Sequence, residues 1–175
     1  MPASRTRLIR LGPRSAVVIL ITSLVGVLAF TWPLFLSISQ GGSVVISHAK
    51  DAPWMFVIIL PLLAAVVFAQ IAEGGMDAKV IALLGMLTAV AAGLRALSPG
   101  AAGLEPGFFL LILAGYAFGP GFGFVFGALG MFTGGLLTGG IGPWLPFQMF
   151  AAAWLGAAAG LVPRRGAAPS RAKIW

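Results

Sequence analysis

Six apolar stretches interrupt this chain, and nine of its eleven Lys and Arg residues fall on one side of the layer those stretches would cross. Arg5, Arg7, Arg10 and Arg14 precede the first stretch, Lys79 lies in the second turn, and Arg164, Arg165, Arg171 and Lys173 follow the last. Only Lys50 and Arg95 fall on the opposite side. Positive charge gathered on one side is the signature of a polytopic membrane protein with cytoplasmic termini. An odd number of crossings, or loss of the first, would place one basic tail outside. The mean hydropathy of +1.04 agrees, because so apolar a chain has too few polar groups to cover itself in water.

The expected fold is therefore all-α, a polytopic six-transmembrane-helix bundle with a short fourth helix. A basic tail, residues 1–14, leads into a membrane domain over 15–163, and a second basic tail spans 164–175. A span needs about 20 mostly apolar residues. Helix one is predicted over Ser15–Ile38, with a kink at Pro33. No small-x-small cleavage site ends it, so it reads as a retained helix rather than a signal peptide. A polar loop over Ser39–Pro53 carries His48, Lys50 and Asp51. Helix two covers Trp54–Ala72, and helix three covers Val80–Leu97, with Asp77 placed to cap it. The sequence Phe118-Gly-Pro-Gly-Phe122 divides the next long run into helix four, Gly107–Phe118, and helix five, Gly121–Thr138. Helix six is predicted over Trp144–Val162.

Composition and motifs narrow the chemistry. The formal net charge of +7 sits in short flanking tails rather than on a folded polar face, which argues for topology and anionic lipid contact and against nucleic acid. There is no Cys, one His and four carboxylates. No phosphate-binding loop, nucleophile elbow or His-Glu-x-x-His zinc pair is present. Asp51, Glu73, Asp77 and Glu105 lack a base partner in the sequence. The chain reads as a non-enzyme that needs no metal or cofactor.

Two features suggest binding. Small residues recur at four-residue spacing: Gly85, Ala89 and Gly93 on helix three; Gly123 and Gly127, continued by Gly130 and Gly134, on helix five; Ala152, Gly156 and Gly160 on helix six. Such faces permit close backbone approach, within the bundle or to a partner membrane protein. The second feature lies on the outer side. Arg95 ends helix three, Glu105 precedes Phe108 and Phe109, and Gly142-Pro-Trp-Leu-Pro-Phe-Gln148 brings Trp144 and Gln148 to the same side. An ionisable group at membrane depth needs a partner. A few placed polar groups against an aromatic wall is the composition of a small-molecule site.

These segments together resemble a known family. Asp77–Arg95, Gly103-Leu-Glu-Pro-Gly-Phe-Phe-Leu110, the Gly-Pro-Gly break, and above all Gly142-Pro-Trp-Leu-Pro-Phe-Gln148 after a Gly-rich helix are similar to the substrate-binding S component of energy-coupling factor (ECF) vitamin transporters, in an actinobacterial branch. The resemblance implies a six-helix bundle in the bacterial cell membrane. It would bind a vitamin, with cobalamin the first expectation, at the extracytoplasmic side. It would deliver that vitamin with a transmembrane coupling subunit and two ATPase subunits. On this reading Arg95, Glu105 and Gln148 hold polar substrate groups, and Phe108, Phe109 and Trp144 form the apolar wall. Family members commonly dock through a small-residue motif on the first helix. This chain has only Thr22 and Gly26 there, so Gly85, Ala89 and Gly93 are the expected docking face. The alternative is a non-transporting membrane scaffold or assembly subunit, which predicts no small-molecule ligand.

Overall fold

The structure, a computed structural model, describes residues 11–40, 44–97 and 105–163, with the side chains of 32–52 excepted. Every regular element among the described residues is an α-helix. There are six: α1 (Pro13–Gln40), α2 (Val44–Ala72), α3 (Ala78–Leu97), α4 (Pro106–Phe118), α5 (Pro120–Thr138) and α6 (Leu145–Leu161). Four contain stretches long and apolar enough to cross a membrane: Pro13–Thr31, Pro53–Ala72, Ala78–Leu97 and Pro120–Thr138. Helices α4 and α6 are apolar but shorter. At about 1.5 Å per residue, α4 reaches about 20 Å, short of the ~30 Å hydrocarbon layer.

Lipid as solvent explains the surface. Helix α1 exposes Val17, Leu20, Ile21, Leu24, Val27 and Leu28, and α2 exposes Val57, Ile58 and Phe68. In water such contiguous apolar surface would drive association; in hydrocarbon it costs nothing. The protein is a membrane protein by this surface and by its spans.

Helix α5 is the central element. Pro120 through Ala128 is buried without a break, and α5 packs on α3, α4 and α6, with lighter contacts to α1 and α2. Glycine permits this crowding. A Cβ added at Gly123 would lie 2.2 Å from the carbonyl oxygen of Gly156, and one added at Gly156 would lie 2.2 Å from that of Gly123. Gly115 meets the same Gly156 carbonyl, Gly127 meets that of Ala152, and Gly160 meets the backbone of Pro120. Backbones therefore touch directly where α4, α5 and α6 converge, which is how helices gain dispersion energy in a solvent as apolar as their side chains.

The Gly-Pro-Gly break folds as expected. Gly119 has φ 111°, a conformation L side chains rarely adopt, and it ends α4 while Pro120 opens α5. Asp77 caps α3: its carboxylate accepts from the Val80 N–H at 2.8 Å. The predicted polar loop over Ser39–Pro53 needs correction. Helix α1 runs on to Gln40 and α2 begins at Val44, so His48, Lys50, Asp51 and Pro53 lie on a helix. No breaker separates Val44 from Ala52, and a proline inside a helix forfeits one hydrogen bond without ending it here; Pro61 does the same further on. Arg5, Arg7 and Arg10 and the basic residues from Arg164 onward lie outside the described residues.

The contacts define two ends of the bundle. At one, the start of α1 meets the α2–α3 turn through Glu73, the side chain of Gln70 lies on Gly121, and Gly160 lies on Pro120. At the other, Arg95, Glu105 and Gln148 meet, and Leu145 packs on Gly135. The helices alternate in direction, so Pro13 and Leu161 share the first end.

Glu73 is more than a solvated turn residue. Its carboxylate accepts from the Arg14 N–H at 2.6 Å, from the Ser15 N–H at 3.1 Å, and from the Ser15 hydroxyl. It thus supplies a helix cap for α1 from 58 residues away in sequence. The hydrogen bond from the Ser15 hydroxyl leads the causes that hold its pKa below the ordinary carboxylate value. A depressed folded-state pKa stabilises above the unfolded value and is lost as pH falls through the folded one. Glu73→Ala should therefore speed amide exchange at Arg14 and Ser15 relative to mid-α1 at neutral pH, and that difference should shrink in acid. Equal exchange in both proteins at neutral pH would remove the cap from this account.

Candidate functional site

Arg95 organises the second end. It lies in the last turn of α3, where a cation also complements the helix dipole. Its stem runs over Gly134 of α5, where a Cβ would stand 2.6 Å from the Arg95 Cδ. The missing side chain at Gly134 makes the groove that aims the guanidinium. From there Arg95 Nη1 reaches Glu105 Oε1 at 3.3 Å, and Nη2 donates to Gln148 Oε1 at 3.3 Å. Nη1 also contacts Met131 Sδ. One guanidinium thus joins α3 to the residue before α4, to α5 and to α6. Both members of the ion pair keep partial access to the surface, at 21% and 30% exposure.

Two adjoining cavities share this cluster. The wider holds about 330 Å³, a volume at the lower end of small-molecule pockets. Arg95, Glu105 and Gln148 supply its polar groups; Phe108, Met131 and Leu155 supply apolar wall. The narrower, about 30 Å³, runs in between α3, α4 and α5, past Ala91, Gly107, Leu111, Phe126 and Gly130. The arrangement can hold a small molecule by a polar edge. It offers no nucleophile with an adjacent base, and among the described residues no group of three or more His, Asp or Glu could hold a metal ion.

Four of the six residues expected at a binding site are thus together: Arg95, Glu105, Phe108 and Gln148. Phe109 and Trp144 line neither cavity. Phe109 is 72% exposed on the outer face of α4, because successive helical residues point about 100° apart and Phe108 already takes the inward direction. Trp144 is 55% exposed at the start of α6, with its ring folded over Gly142. Met131 is new to the site, and Gly134, expected only as part of the helix-five small-residue series, joins it. Met131 lies one helical turn after Gly127 and Gly134 one turn after Gly130, and that spacing was the available signal.

The three small-residue faces separate clearly. Gly123 and Gly127 of α5 and the face of α6 are spent on each other, whereas Gly130 and Gly134 turn toward Ala91 and Arg95 of α3. On α1, Thr22 is buried and Gly26 lies under the rings of Phe150 and Trp154. On α3, Gly85 and Ala89 are exposed and Gly93 is half-buried; nothing lies within 4 Å of a Cβ built at either glycine.

No curated protein and no solved structure matches the chain. The family model described as ECF transporter, substrate-specific component, matches residues 79–175, more than half of the chain, taking in α3 to α6 and the whole polar cluster. The chain belongs to the substrate-specific components of ECF transporters and is a membrane transport subunit, not an enzyme.

Proposed function

We propose that this protein is the vitamin-binding subunit of an ECF-type ABC importer, with six membrane crossings and both termini in the cytoplasm. The observation that carries the binding site is the convergence of Arg95, Glu105 and Gln148, from three separate segments, on one 330 Å³ cavity. That cavity opens at the end opposite Pro13 and Leu161, next to which the sequence carries its basic tails, so the positive-inside rule supports an extracytoplasmic site. Helices α4 and α6 complete the count of crossings; packed against α5 and each other, they need not span the full hydrocarbon thickness alone. Phe109 and Trp144 serve this reading as interfacial aromatics near the mouth. The actinobacterial resemblance put cobalamin first. A corrinoid is several times the size of this cavity and would enter it by one edge, whereas a smaller vitamin would fit within it.

Membership of the family implies partnership with a coupling module and a substrate. The proposed partner is a transmembrane coupling subunit carrying two ATPases, and the proposed contact is Gly85, Ala89 and Gly93 on α3. Among the described residues, the bundle leaves this small-residue face uncovered. Ala89→Leu puts a bulky group at its centre without touching the cavity. The variant should lose co-purification with the coupling subunit and still carry the small molecule that mass spectrometry detects on the wild-type protein. An intact complex would move docking elsewhere. A wild-type protein that retains no small molecule and supports no uptake would favour the scaffold reading.

A further inference from the structure

The volume, charge and shape of the paired cavities define a substrate class. We infer that this site takes a small, net-neutral heterocycle with an amide- or imide-type edge and one methyl-sized apolar substituent. The inference rests on the binding reading above and narrows it.

Size comes first. The wider cavity, about 330 Å³, lies at the lower end of small-molecule pockets. A single-ring or compact two-ring molecule fills that space.

Charge comes next. The wider cavity contains one cation and one carboxylate, Arg95 and Glu105, 3.3 Å apart. They cancel. An anionic substrate drawn to Arg95 would also sit beside Glu105, and a cationic one drawn to Glu105 would sit beside Arg95. Either unmatched charge would be held among Phe108, Met131 and Leu155, where desolvation is not repaid. A neutral molecule meets neither penalty.

The polar groups then specify an edge. Arg95 offers guanidinium N–H donors, Glu105 offers carboxylate acceptors, and Gln148 offers an amide whose oxygen already accepts from Arg95, leaving its NH₂ to donate. An acceptor on one side of Arg95 and an amide donor on the other can meet the adjacent N–H and C=O of an amide or imide. A site built to hydrogen-bond such groups rejects analogues that lack them.

The narrow cavity supplies the last element. Its 30 Å³ matches one methyl-sized group, and its walls at Ala91, Leu111 and Phe126 are apolar. Gly130 borders it. A Cβ there would meet the Ala91 Cβ at 3.8 Å and the Phe126 ring at 4.0 Å, both ordinary contacts. Gly130→Ala therefore fills the slot without forcing the helices apart. Gly107→Ala does the same from the other wall, where the added Cβ meets only the Ala91 carbonyl oxygen, at 3.9 Å.

The test uses three probes built on one ring: uracil, thymine with its added methyl, and orotate with its added carboxylate. Affinities are measured by calorimetry on the full-length protein in nanodiscs, and the molecule retained on the purified protein is weighed by mass spectrometry. Thymine should bind about tenfold or more tighter than uracil, the usual effect of one methyl group in a fitted apolar pocket. Orotate should bind weakest. Gly130→Ala or Gly107→Ala should lower thymine affinity more than uracil affinity and so bring the two together. Preference for orotate, a thymine-to-uracil ratio unchanged in both variants, or a retained molecule that is charged or far larger than the cavity would overturn this substrate class and leave the binding site standing. No retained molecule together with no binding of any probe would overturn the site itself.

Discussion

Gly156→Ala should lower the thermal midpoint of the detergent-solubilised protein by on the order of 5–10 °C, from about 1–3 kcal/mol of overpacking at ~2–4 °C per kcal/mol. The reason is where the new methyl goes. It would lie 2.2 Å from the Gly123 carbonyl oxygen and 2.8 Å from Leu111 Cδ1. The first of these is backbone, which cannot rotate away as a side-chain tip can. The Gly156 carbonyl is itself the contact for Gly115 and Gly123, so displacing α6 here loosens its seams with both α4 and α5. In lipid these seams hold the bundle together by close approach alone. Gly85→Ala is the matched control. It also adds one methyl to a helical glycine, but into open space, and it should leave the midpoint unchanged or slightly raised. Equal midpoints for the two variants, read by fluorescence-detected size exclusion after heating, would mean that the α5–α6 contact is slack.

That contrast also marks what the sequence could convey. Small residues at four-residue steps on α3, α5 and α6 announce faces suited to close approach, and the same step recurs on all three. Which face meets which depends on how the helices are ordered around α5, a property of the assembled bundle. Local features were readable where local chemistry decides them. The Gly-Pro-Gly break, the Asp77 cap and the limits of α3, α4 and α5 follow from backbone rules that act over a few residues. The loop expected over Ser39–Pro53 is helix from Val44 onward, because polar residues alone do not end a helix and Val44 to Ala52 contains nothing that stops one. Within the site, the polar cluster of Arg95, Glu105 and Gln148 was legible because charge at membrane depth demands a partner. Phe108 and Phe109 looked equivalent because adjacent positions share a sequence neighbourhood but not a helix face. The cap that Glu73 places on α1 spans 58 residues, and no local pattern announces it.

Arg95→Ala should weaken ligand binding by about 10- to 100-fold, the range expected on losing charge-assisted hydrogen bonds worth ~1.5–3 kcal/mol. It should also reduce uptake in cells that carry the coupling module. Two further variants separate chemistry from position. Arg95→Lys keeps the charge but loses the planar fork that reaches Glu105 through one nitrogen and Gln148 through the other, so it should restore little of the affinity. Gly134→Ala keeps the guanidinium whole and disturbs only its path, since the added methyl would stand 2.6 Å from Arg95 Cδ. It should give an intermediate loss of affinity, showing that the groove in α5 aims the side chain. Removing Arg95 also strands Glu105 as an unpaired carboxylate against apolar wall. Arg95→Ala with Glu105→Gln should then be more stable than Arg95→Ala alone while remaining defective in binding, because the double variant removes the unpaired charge but not the need for a donor. Full affinity in Arg95→Ala, or equal stability of the single and double variants, would show that the two groups face solvent independently and that the cavity they line is not where the substrate sits.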